Sequence, residues 1–150
     1  MKKILLVCLA LFVGTLAFAQ SAASTGLTDL DVQTFCKNFN KMKADLEKLG
    51  ADANDAQALA FALSGNADAT KVLNKYGISG SNSVQKLCAI AYGYAVERCE
   101  EELAADPETA RMLKNMGQDP VANIRPLVAD SDVRVVKRHL AELKKIFDEE

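Results

Sequence analysis

The stretch LCAIAYGYAV, residues 87–96, runs for ten residues without a formal charge. It sits in a longer segment, 83–105, that contains no proline and turns acidic at Glu97, Glu100, Glu101 and Glu102. A helix that is apolar on most faces is buried on most faces. The reading is therefore a central helix with the rest of the chain arranged around it. Gly93 costs about 1 kcal/mol of helix propensity relative to Ala, which suits a point where a second helix approaches closely. Tyr92 and Tyr94 bring hydroxyls that need partners or a wet edge.

Upstream, Val32, Phe35, Phe39, Met42, Leu46 and Leu49 recur at gaps of three and four. That seam predicts a helix over 29–49, capped by Thr28 and stopped by Gly50. Residues 55–63 read as a short Ala-rich helix, with Asn54 and Gln57 spaced as a capping box. Residues 67–76 read as another, capped by Asn66 and closed at Gly77, with Ile78 folding back on Leu73. Residues 79–83 (SGSNS) form the clearest internal loop.

Downstream, Asp106-Pro107 and Asp119-Pro120 are both helix-start signals. They predict a helix over 107–116, stopped by Gly117, and a single turn at 120–123 that Pro126 interrupts. The last helix is expected over 131–147. Val133, Val136, Leu140, Leu143 and Phe147 form its apolar side, and Arg134, Lys137, Arg138, Lys144 and Lys145 cover the other faces. No segment alternates apolar and polar residues as a strand does. The expected class is all-α: a single-domain bundle of about six helices around one central apolar helix.

The start of the chain reads as an address. Lys2 and Lys3 precede an apolar run over 4–18, and Ala17 and Ala19 place small residues where a signal peptidase requires them. Cleavage is expected between Ala19 and Gln20. The run falls short of the roughly 20 residues needed to cross a bilayer. The expected organisation is a signal peptide at 1–19, a flexible leader at 20–27 and a helical domain at 28–150, with the product periplasmic or secreted. The formal charge of −2 becomes −4 once Lys2 and Lys3 are removed. A mildly acidic chain lacks the basic face that nucleic acids require and the polybasic surface that anionic membranes attract.

An oxidising destination directs attention to the cysteines that remain, Cys36, Cys88 and Cys99. Cys88 and Cys99 lie eleven residues apart on one helix, about 16 Å along its axis. That is too far for a disulfide, whose Cα atoms lie within about 7 Å. Cys36 is left to pair with one of them. Counting helices up and down sets the first and the central helix antiparallel, which favours Cys36–Cys99. A parallel arrangement favours Cys36–Cys88. A bridge of that loop length is worth roughly 4 kcal/mol in the chain-entropy account.

Catalytic patterns are sparse. The chain has one histidine, His139, placed as an ordinary boundary residue three before Glu142. A lone His excludes the paired Glu-x-x-His sites of di-iron bundles. Cys88 sits in an apolar helix and reads as buried rather than nucleophilic. Glu97 and Glu101 share a face, but pairing with the cationic last helix accounts for them. The 79–83 loop followed by Lys86 lacks the spacing of a phosphate loop. Phe35, Phe39, Met42, Phe61, Tyr92, Tyr94, Met112, Met116 and Phe147 fit a core, or the lining of a cavity. No catalytic residue, cofactor or metal is expected, and the balance leans away from an enzyme. The expected role is an exported, non-catalytic protein that acts by binding another protein. The alternative is a carrier of a small apolar or lipid-like ligand in an internal cavity.

Overall fold

A computed structural model describes residues 22–52, 55–64 and 66–148, with the side chains of Gln57 and Phe61 excepted. The described residues form seven α-helices and no strand. In chain order they are α1 (Asp29–Glu47), α2 (Ala56–Leu63), α3 (Ala67–Lys75), α4 (Ser83–Ala105), α5 (Pro107–Asn115), α6 (Asp130–Arg138) and α7 (Leu140–Phe147), with a 3-10 turn at Arg125–Leu127 between α5 and α6. None is long and apolar enough to cross a membrane. The signal segment and its Ala19/Gln20 junction lie outside the described residues, as do Asn54 of the expected capping box and the side chain of Phe61.

Local chemistry sets the helix ends. Thr28 and Asp31 form a reciprocal capping box at α1: the Asp31 amide donates to Thr28 Oγ1, and the Thr28 amide donates to Asp31 Oδ2 at 2.9 Å. Leu27 and Val32 flank that box and are both buried, the positions of a hydrophobic staple. Asn66 caps α3 and Asp106 caps α5. Gly77 ends α3 at φ +93, and the Ile78 amide donates to the Leu73 carbonyl at 3.0 Å. That is the Schellman closure expected from sequence.

Eleven of the 23 residues of α4 are buried, and α2, α3, α6 and α7 pack on it. A Cβ placed on Gly93 would stand 2.9 Å from Val136 Cγ2. Gly93 is thus the point where α6 crosses α4, and the glycine permits the approach. Phe147, from α7, stands between α1 and α4: its ring centroid lies 6.1 Å from Phe35, 5.8 Å from Phe39 and 5.1 Å from Tyr94.

The last helix is two helices rather than the single one expected. The break falls at His139, where no glycine or proline stands. The His139 amide donates to the Val136 carbonyl, a tightened last turn, and the ring turns inward to Asp29, with Nε2 2.9 Å from Oδ1. His139 is therefore buried and not the boundary residue expected. Arg138 clamps the same carboxylate through Nε and Nη2, both at 2.9 Å.

Residues 22–27 also differ from the flexible leader expected. Asp132, buried in the first turn of α6, accepts hydrogen bonds from Ser24 Oγ, the Thr25 amide and Thr25 Oγ1 at 2.9, 2.8 and 3.0 Å. Asn82 donates to the Thr25 carbonyl, and the Ala22 amide donates to the Pro126 carbonyl. The segment is a strap across α4 and α6.

Candidate functional site

The residues singled out from sequence are dispersed. No two of Cys36, Cys88 and Cys99 stand at disulfide distance. This corrects both the Cys36–Cys99 pairing and its Cys36–Cys88 alternative. The physical reason is the layering: Phe147 separates α1 from α4, so their backbones do not close to the distance a disulfide needs. Asp31 at the start of α1 pairs directly with Lys86 near the start of α4 at 3.0 Å, while Phe35 and Phe39 meet Tyr94 only through Phe147.

The thiols are poorly suited to nucleophilic work. Burial, reinforced by the charge of Glu142, pushes the Cys36 thiol up to about 12. Burial also raises Cys88, whose Sγ lies 3.7 Å from the Ala60 carbonyl. Neither is a thiolate near neutral pH.

The acidic run at the end of α4 is an intramolecular network. Glu97 is buried, not solvated, and receives Lys137 Nζ at 2.9 Å. Lys144 Nζ reaches Glu101 at 2.6 Å, and that lysine holds the Glu101 carboxyl below the usual range. Arg98 binds Glu101, Glu102 and Asp148 at once. Tyr94 donates to Asp148, and its phenol is raised by burial and by that carboxylate. Lys137 and Lys144 bring the cationic faces of α6 and α7 to this run, as the sequence suggested. Lys86 is committed to Asp31, and Ser83 is fully buried, so the 79–83 loop offers no anion cradle. The His139 Nδ1 atom stands 3.6 Å from Glu142 Oε1, beyond hydrogen-bond distance. No cluster of three or more metal-capable side chains occurs among the described residues.

Two surface features remain. The first is α5. It packs chiefly on the end of α4, and none of its residues is buried. Ala110 and Leu113 are half-buried, while Met112 and Met116, one turn apart, are 49% and 60% exposed on the face that Thr109 shares. The outer face forms a shallow recess of about 520 Å³ with Glu108 and Arg111 beside the methionines. The second is an open groove of about 380 Å³ between α4, the strap and the loop after the 3-10 turn, lined by Val84, Cys88, Tyr92 and Leu127. Neither is an enclosed cavity. The sequence placed Met112 and Met116 with the core or with the lining of a cavity, and their helical spacing gave no sign that they face outward.

Comparison of the chain with protein-family models, with curated proteins and with solved structures finds no match.

Proposed function

We propose that this chain is exported, loses residues 1–19, and acts as a non-catalytic, single-domain helical protein that binds another protein in the periplasm or outside the cell. The observation that carries the reading is α5, a helix that contributes no buried residue yet presents Met112 and Met116 outward. A helix displaying apolar anchors at i and i+4 is the form in which helices enter a partner's groove. Methionine's unbranched, polarizable chain suits such surfaces. Glu108 and Arg111 stand beside the methionines and give the face charges of both signs.

The test is photo-crosslinking from position 112 in the exporting cell. One discrete adduct is expected, lost when Met116 is replaced by Asp. No adduct, or the same spread of adducts from exposed Asn74, overturns the reading.

The second reading, a carrier of a small apolar ligand, is favoured by the 380 Å³ groove, whose size lies at the low end of the roughly 300–1,000 Å³ typical of small-ligand sites. Native mass spectrometry of the exported protein reads it directly, as an added mass of small-molecule size that leaves on denaturation.

A further inference from the structure

The joint between α6 and α7 holds a buried polar atom without a partner. His139 follows the end of α6 and stands at the cap position of α7, and its side chain is 8% exposed. Nε2 lies 2.9 Å from Asp29 Oδ1, while Nδ1 has no hydrogen-bond partner among the described residues. Glu142, at the third position of α7, places Oε1 3.6 Å from Nδ1.

The partner at Nε2 decides which nitrogen carries the proton. Arg138 first, and His139 second, hold the Asp29 carboxyl down to about 2, so Asp29 is ionised and can only accept. Nε2 is therefore the donor, and in the neutral ring Nδ1 is a bare lone pair. Two acceptors, Nδ1 and Glu142 Oε1, then face one another. They repel until a proton is placed between them, when the contact becomes a charge-assisted hydrogen bond.

We propose that His139 is a proton-operated latch: a proton taken from water onto Nδ1 draws Glu142 to the ring and ties α1, α6 and α7 together through it.

The charges around the ring favour that proton. Asp29 comes from α1, Arg138 from α6 and Glu142 from α7. With the ring neutral this cluster is one negative charge in excess, and the imidazolium balances it. Cys36 of α1 adds no charge, because burial first and Glu142 second push its thiol up to about 12. Arg138 opposes the cation, but its guanidinium is committed to Asp29 through two hydrogen bonds. The movement required is small. Oε1 closes from 3.6 Å to about 2.8 Å, and the Glu142 side chain, 52% exposed, can do so without repacking the core. Histidine is the side chain whose charge ordinarily changes between about pH 5 and pH 8, so the latch answers to mild acid.

The chain has one histidine, so its ring signals need no assignment. The experiment labels the ring nitrogens of the full chain and follows them by NMR from pH 8.5 to pH 5, in the wild type, in Glu142→Gln and in Glu108→Gln. At pH 8.5 the ring is expected neutral, with its proton on Nε2. On acidification Nδ1 should gain a proton, and the amides of Glu142 and Leu143 should move with the same midpoint. In Glu142→Gln that midpoint should fall by about half a pH unit or more, and the α7 amides should move less. Glu108→Gln, which removes the same charge from α5, should leave the midpoint in place. Urea denaturation gives an independent reading. The pair forms only with the ring protonated, so the stability advantage of wild type over Glu142→Gln should grow as pH falls from 8.5 to 5. A proton on Nδ1 at pH 8.5, a ring that stays neutral down to pH 5, a midpoint that Glu142→Gln does not move or a flat stability difference overturns the proposal. A midpoint that Glu108→Gln lowers equally overturns it too, since net charge alone would then set the titration.

Discussion

Helices α4 and α5 are joined through the single residue Asp106, and they are built on opposite terms. In α4 the apolar residues run around most of the circumference, and eleven residues of the helix, Ser83 and Glu97 among them, are buried. In α5 the same amphipathic logic yields a helix that only half-buries Leu113 and leaves Met112 and Met116 pointing outward. Hydrophobic residues at helical spacing therefore do not by themselves identify a core. What decides burial is whether other elements reach the face, and past Asp106 few do.

The contrast can be broken most sharply by truncation. Ile90 is fully buried in α4, and Ile90→Ala should cost about 2–5 kcal/mol, read from urea denaturation. A loss under 1 kcal/mol would show that α4 is not the centre of packing. Gly93→Ala probes the crossing with α6. The added methyl meets the stiff, β-branched Val136, so overpacking of about 1–3 kcal/mol opposes a propensity gain of about 1 kcal/mol. A net loss near 1 kcal/mol is expected, relieved by pairing it with Val136→Ala. Stabilisation by Gly93→Ala alone would mean that the helices stand further apart.

Acid sharpens the comparison, because among the described residues the body around α4 is tied by ion pairs that α5 lacks. Arg138 first, and His139 second, hold the Asp29 carboxyl down to about 2. The group is lowered in the folded state, so its contribution is fully present above its ordinary value near pH 4 and fades as pH falls toward 2. The stability difference between wild type and Asp29→Asn should accordingly shrink across that window. A difference that is flat from pH 5 to pH 2 would count against the clamp. The smallest effect belongs to α5: Met112→Ala and Met116→Ala should each stay within about 0.5 kcal/mol of wild type while abolishing the crosslinked adduct. A large loss of stability would place those methionines in the fold instead of on a binding face.

The parts of the fold that were legible in the sequence are those decided locally. Thr28, Asn66, Gly77 and the Asp106-Pro107 pair each set a helix end through groups within five residues, and each does so in the structure. The break at His139 depends on Asp29, 110 residues away, and the docking of Ser24 depends on Asp132, 108 residues away. No periodicity reports such partners. The cysteines failed for a related reason: counting helices up and down gives a topology only if each neighbours the last, and α7 inserts Phe147 between α1 and α4. Of the candidate sites, the cationic partners of Glu97 and Glu101 were readable because charge excess on one helix and deficit on another are both visible in sequence. The exposure of Met112 and Met116 was not, since nothing in their spacing says which neighbours arrive.

The hydrogen bonds from Ser24 and Thr25 to Asp132 also fix an order of events. A polypeptide is made, and threads through any translocation pore, from its first residue to its last. The beginning of the chain must therefore wait, unseated, until residue 132 has emerged. The strap closes late, after everything up to Asp132 has emerged and while only the last stretch of the chain is still to come.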